Sequence, residues 1–376
     1  MNNSIRACAA WEQKSFESAV ELSSALRYPE RTRMVMALGV LLFSFIVTGV
    51  SIVPFIDLLY SLRFQRKNEK SKDAFGSKTP IFDKLHKNKT GTPIGGGLLL
   101  MVVVSVMFAL IFPVLRLLGV PITVVYPLQG ELNVLFFTFI SFGLLGLYDD
   151  TKKFFGFEKT GFFGLRMSQK LLIQCILALI ISLQLVFGLG ITMLNLPFVG
   201  VIQLGWLMVP FSMFVIIAFT NAMNITDGLD GLAGSVLLVC LFGLWILSAS
   251  IVDTPIALFL ALWIGSLIAF LYFNIFPARL MMGDVGSLSF GATLAVVGLL
   301  LGKVIALVVI GGIFILEISS SLAQLLSKRF LKRKLFPVAP FHIWLQYIGW
   351  PEPKIVQRAF LTGLVLTLFG LWIDLM

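Results

Sequence analysis

The chain has 376 residues, 58% of them hydrophobic and 13% charged, with a mean hydropathy of +0.97 and a formal net charge of +10. A soluble domain carries about 25% charged residues, so this composition excludes an ordinary water-soluble globule. Cys8, Cys175 and Cys240 are too few and too scattered for a disulfide framework or a thiolate metal site, and the basic excess gathers in a few loops, as membrane orientation and phosphate contact require and nucleic-acid binding does not.

The chain opens on a polar extension of mixed charge, residues 1–33. The first long apolar run begins near Met34, too late and too long for a cleavable signal peptide. Apolar runs then recur at about 20 residues, the length a helix needs to cross a bilayer. They predict ten spans: Met34–Leu62, Pro93–Leu117, Leu132–Tyr148, Gln169–Gly190, Leu204–Ala222, Leu232–Ser250, Pro255–Phe276, Ser287–Leu301, Lys303–Leu326 and Ile355–Leu375. The fold class is therefore an all-α polytopic membrane protein, with residues 34–376 forming one transmembrane domain. Glu317 lies inside the ninth span, where an ionisable group must face the bundle interior or mark a break.

Short-loop lysines and arginines set the orientation. The loop after span one carries nine, from Arg63 to Lys89; the loops after spans three and nine are also basic, with Lys152, Lys153, Lys159 and Arg166, and with Lys328, Arg329, Lys332, Arg333 and Lys334. The stretches Gly119–Gly130 and Gly188–Gln203 contain no Lys or Arg. This asymmetry predicts both termini outside and puts every polar motif on the cytoplasmic face.

Those motifs carry the chemistry. Asp149 and Asp150 end span three, before Thr151-Lys152-Lys153. Adjacent carboxylates can hold a divalent cation or take a proton, and they can equally pair with the lysines beside them. Asn221-Ala-Met-Asn224-Ile-Thr-Asp227-Gly-Leu-Asp230-Gly follows span five. Asn224, Asp227 and Asp230 recur every third residue, which on a helix gives one shared face. A helix cap needs one such residue, so this density points to a site. Asn274 to Ser287 reads as a loop whose Gly-Asp-x-Gly-Ser, around Asp284, sets backbone amides beside a carboxylate. Thr92-Pro93-Ile94 followed by three glycines enters span two. Five aspartates at span ends on one side call for a cation and an anionic substrate.

Together these residues resemble the polyprenyl-phosphate N-acetylhexosamine-1-phosphate transferases. The resemblance rests on the aspartate pair, NAMNITDGLDGLAG and the Asn274–Ser287 loop. Ala339-Pro340-Phe341-His342 and Gly349-Trp350-Pro351-Glu352-Pro353-Lys354 are similar to the muramoyl-pentapeptide branch. The resemblance implies transfer of phospho-MurNAc-pentapeptide from UDP-MurNAc-pentapeptide to undecaprenyl phosphate, giving lipid I and UMP, in a bacterial plasma membrane. It implies Mg²⁺ as cofactor, held by Asp284 with Asp149 and Asp150 as further candidates, and a homodimer. Asp149, Asp150, Asp284 and His342 take catalytic roles in it. Lys89, Thr92, Lys170, Asn221, Asn224, Asp227, Asp230, Asn274 and Gln324 take substrate-binding roles. The sequence departs from the family pattern at Ile94, Met281, Ile343 and Trp344. A GlcNAc-1-phosphate transferase would share the aspartates but lack the Gly349–Lys354 segment, and a cation-coupled transporter would carry its acids near the bilayer midplane.

Overall fold

A computed structural model describes residues 30–65, 91–120, 122–154 and 165–376. Among these residues, nine helices are long and apolar enough to cross a membrane, and a bent pair makes a tenth span. The helices are α1 (Glu30–Ser61), α2 (Gly96–Leu117), α3 (Leu128–Phe154), α4 (Met167–Leu183), α5 (Met208–Thr226), α6 (Leu232–Ile251) and α7 (Thr254–Asn274). They continue with α8 (Gly283–Leu300), α9 (Val304–Ile310), α10 (Gly312–Leu326), α11 (Phe341–Tyr347) and α12 (Glu352–Leu375).

α8 is the hub, packed against α2, α3 and α5. Its sequence, GDVGSLSFGATLAVVGLL, is rich in small residues. Between membrane helices, where lipid supplies no hydrophobic drive, small residues let backbones meet and gain dispersion contact. A Cβ on Gly146 of α3 would fall on the Asp284 carbonyl, one on Gly97 of α2 on the Gly286 backbone, and one on Gly291 would lie 2.6 Å from the Phe219 carbonyl of α5. Aromatic rings fill the space beyond: Phe139, Phe259, Trp263 and Phe290 interlock at centroid distances of 5.4–5.8 Å.

On the far flank α1 lies along α7. Ser44 donates to the Leu262 carbonyl at 2.6 Å and Thr48 to the Ser266 hydroxyl at 2.8 Å, so the polar groups of this seam satisfy one another across the two helices. α1, α2 and α12 turn long apolar faces outward, including Val50, Leu110 and Leu368, as lipid contact requires.

The span between residues 303 and 326 is not one straight helix. α9 ends at Gly311, and the chain bends by 76° into α10 and the turn that continues it. The break falls six residues before Glu317, so Glu317 marks the bent segment and not the bend itself. The expected outer loop between spans four and five contains a two-stranded hairpin, β1 (Met193–Leu196) antiparallel to β2 (Gly200–Gln203). Its strands are four residues each, too short to announce themselves by alternation.

Candidate active site

α3 and α8 meet where α3 ends and α8 begins. Asp284 stands in the first turn of α8, where the helix dipole favours a carboxylate. The α8 amide of Val285 donates to Asp150 Oδ2 at 3.3 Å, so an α3 carboxylate caps α8. Gly283 has φ +80°, which L side chains rarely adopt, and a Cβ there would crowd Ile94 and Asp150. That glycine is what lets the loop turn into α8 directly above the aspartates.

Two lysines knit the three carboxylates together. Lys153, in the last turn of α3, lies 2.7 Å from Asp284 Oδ2, 3.3 Å from Asp149 Oδ2 and 3.7 Å from Asp150 Oδ1. Lys170, in the first turn of α4, lies 2.7 Å from the same Asp284 oxygen and 3.1 Å from Asp149 Oδ2. Asp149 Oδ1 accepts the Leu165 N–H at 2.7 Å, which draws the start of α4 onto α3. Asn224 of α5 donates to Asp284 Oδ1 at 3.0 Å and to the Ser287 hydroxyl at 2.8 Å. Asp149 and Asp150 are almost wholly buried, whereas the Asp284 side chain keeps 15% of its surface. Buried charges persist only when paired, and these are. Three carboxylates face two ammonium groups at a membrane boundary.

Lys153 was not among the residues singled out by sequence. Its signal was its spacing, three and four residues after the aspartates on a helix, which equally suits a solvated pair. What no spacing shows is the third contact, to Asp284 from another helix.

The Asn221–Asp230 segment does not present one helix face. α5 stops at Thr226, Asp227 is the residue that ends it, and the turn through Gly228 and Gly231 follows. Gly231, at φ +79°, starts α6 in place of an aspartate cap. Of the three residues at spacing three, Asn224 alone is on α5. Asp230 Oδ2 accepts the Ala278 N–H at 3.0 Å, and its own N–H goes to Glu352. Asn221 donates to Gln174 of α4 and to the Ile217 carbonyl, each at 2.8 Å.

Asn274 and Gln324 hold loops. Asn274 accepts from Gly231 at 3.0 Å and donates to the Leu280 carbonyl at 2.9 Å. Gln324 accepts from Leu335 and Phe336 and donates back to the Phe336 carbonyl at 2.8 Å. Thr92 is half-buried, next to Pro93, whose carbonyl accepts from Met281 at 2.9 Å. Gly95 and Gly96 donate to the Met281 carbonyl and Gly97 to that of Met282, so the glycine segment is a backbone clamp on the Asp284 loop. Met281 is itself buried in this clamp. Lys89 lies outside the described residues. His342 is buried against Gly228 and pairs with Glu317, while Ile343 packs with no exposed surface.

Among the described residues, no three acids or histidines form a ready metal cage. Mg²⁺ rarely uses one; it takes one or two carboxylates and completes its shell with water and substrate phosphates. The donor set at Asp284 is all oxygen, and that carboxylate already draws two ammonium groups onto a single oxygen. The residues present therefore fit such an ion.

Residues 132–302, from α3 to the end of α8, match the sequence model of glycosyl transferase family 4. The chain is 35% identical over 326 residues to a phospho-N-acetylmuramoyl-pentapeptide-transferase of Clostridium perfringens, covering 86% of this chain and 93% of that relative. Relatives of the same name in Staphylococcus epidermidis and Staphylococcus aureus are 35% identical, over 77% of this chain and 87% of theirs. Likeness of this extent runs through every span that contributes to the carboxylate cluster, and the chain belongs to the phospho-N-acetylmuramoyl-pentapeptide-transferase family.

Proposed function

We propose that this membrane phospho-sugar transferase takes UDP-MurNAc-pentapeptide and undecaprenyl phosphate and returns lipid I and UMP. An oxygen of the lipid phosphate attacks the sugar-linked phosphorus. The bond from that phosphorus to the UMP oxygen breaks, so one phosphoanhydride replaces another. The barrier is then mainly electrostatic, because two anions must meet.

One observation carries this reading: Asp149, Asp150 and Asp284 converge with Lys153 and Lys170 at the ends of three spans. A lipid phosphate is confined to the headgroup plane, and span ends lie at that depth. Lys153 and Lys170 can release carboxylate oxygens to grip phosphate oxygens, which steadies charge as it moves to the leaving group. Asp149 and Asp150 can receive the proton of a protonated lipid phosphate. Mg²⁺ would be held by Asp284, with Asp149 beside it, and would neutralise pyrophosphate charge. Asn224 fixes the Asp284 carboxylate by its Oδ1, leaving Oδ2 to the cations.

The muramoyl substrate is favoured over UDP-GlcNAc by the relatives' shared name and by the Gly349–Lys354 segment. That segment is built in. Lys354 and Arg358 lie 4.6 and 4.4 Å from the Trp350 ring centroid, and Glu352 accepts the Asp230 N–H. Purified protein given undecaprenyl phosphate, Mg²⁺ and each UDP-sugar in turn should yield lipid I from UDP-MurNAc-pentapeptide and no lipid product from UDP-GlcNAc. A product from UDP-GlcNAc and none from the muramoyl substrate would overturn the assignment.

The site should face the cytoplasm. A cysteine at Lys334 should resist membrane-impermeant thiol reagents in intact cells, and one at Val199, on the opposite hairpin, should react. The reverse pattern would invert the topology.

A further inference from the structure

Glu317 is a carboxylate in the bent segment of the ninth span, buried to 3% exposure. Nothing in the carboxylate–lysine cluster explains it. Its partner is His342, itself 1% exposed. Glu317 Oε2 lies 2.9 Å from His342 Nδ1. The His342 backbone N–H donates to Glu317 Oε1 at 3.2 Å. Ser320, one helical turn on, accepts the Phe341 N–H at 3.1 Å. α10 thus caps the first turn of α11 with side chains of its own.

The opposite edge of the ring is aimed elsewhere. A Cβ on Gly228 would lie 2.5 Å from His342 Nε2, so that nitrogen rests against the turn that begins at Asp227. The same turn leaves α5 just after Asn224, which holds Asp284. An imidazole whose Nδ1 faces a carboxylate keeps its proton there, because the carboxylate only accepts. Nε2 is then turned toward the Asn224–Asp230 side of the site, in one orientation.

We infer that Glu317 is a positioning residue: it fixes the proton of His342 on Nδ1 and seats Nε2 against the Gly228 turn, and through that turn it sets the Asn224–Asp230 side of the site that takes the UDP-sugar. This rests on the transferase reading above. The backbone N–H leans to Oε1, at 3.2 Å against 3.4 Å for Oε2, and the contact of Oε2 with Nδ1 is what separates Glu317 from a plain cap. In Glu317→Gln the amide oxygen can still accept the His342 backbone N–H. The amide NH₂ then faces Nδ1 and requires its lone pair, which moves the ring proton to Nε2. The substitution keeps the cap and inverts the tautomer.

The chain has two histidines, His86 and His342, so a His86→Asn protein labelled with ¹⁵N-histidine reports one ring. In that protein Nδ1 should carry the proton, and in the same protein with Glu317→Gln it should lose it. An unprotonated Nδ1 before substitution, or the same tautomer after it, overturns the inference. In the assay Glu317→Gln should lower kcat/KM for the UDP-sugar by roughly 10–100-fold, the range found when partners that orient a functional imidazole are changed. Its thermal midpoint should stay that of the parent. Added to His342→Asn it should cost nothing further. Parent-level activity in Glu317→Gln, or a full additional loss on top of His342→Asn, means that Glu317 only caps α11. If Glu317→Gln does not fold, the spectrum of the His86→Asn protein still decides where the proton sits. If the unsubstituted protein makes no lipid I, the transferase reading fails, and the spectrum of the His86→Asn protein still decides the tautomer.

Discussion

Asp284→Ala is expected to lower turnover by about 10²–10³-fold or more, the usual cost of removing one oriented group from a charge-stabilising site. Asp284 gathers donors from three helices: Lys153 of α3, Lys170 of α4 and Asn224 of α5 all donate to it. It also keeps the most exposed side chain of the three carboxylates, as a group that meets a substrate phosphate must. The protein should remain folded. Without Asp284 two carboxylates still face two ammonium groups, so no buried charge is abandoned. Turnover by the parent enzyme should vanish with a chelator and return with Mg²⁺, while the variant should gain little at any Mg²⁺ concentration. A variant that turns over like the parent would reduce the cluster to a structural ion-pair network.

Gly146→Leu is expected to cost both stability and activity. The α3 backbone at Gly146 lies directly on the Asp284 carbonyl, and any side chain there must drive α3 and α8 apart. Overpacking a tight contact costs about 1–3 kcal/mol in soluble cores, and here the obstruction is backbone, which cannot swing aside as a side chain does. The same separation moves Asp149 and Asp150 away from Asp284, and a misplacement of about 1 Å can cost 10²-fold in rate. Gly49 of α1 is the control, since a Cβ there meets nothing within 4 Å. Gly49→Leu should leave the thermal midpoint and the rate unchanged. If Gly146→Leu does the same, the two helices have room to spare and the close crossing does not set the site.

The spans were legible because a bilayer imposes one length on every helix and apolar runs record it. The aspartates were legible because charge is so scarce here that each carboxylate at a span end stands out. Less could be read where geometry depends on backbone turns. The spacing of Asn224, Asp227 and Asp230 suggested one helix face, yet Gly228 and Gly231 end the helix among them and send Asp230 to a different loop. Asn274 and Gln324 matched pocket positions by motif, while their amides serve loop backbones. Lys153 was hidden by ambiguity, since a lysine after two aspartates pairs with them in any helix. Glu317 was visible as an anomaly, but its partner lay across the loop that follows α10, a distance no periodicity spans.

The hub position of α8 has a consequence for the enzyme's tolerance of its surroundings. With 18 residues it is one of the shorter spanning helices, about 27 Å of rise, against 32 residues and about 48 Å for α1. α8 is sheathed by neighbours, while α1, α2 and α12 meet the lipid. When bilayer thickness changes, lipid-facing helices answer by tilting. The enclosed α8 need not follow, and backbone contact at Gly146 keeps α3 in step with it. Membranes of different thickness should then change how this protein sits without changing the distance from Asp149 to Asp284.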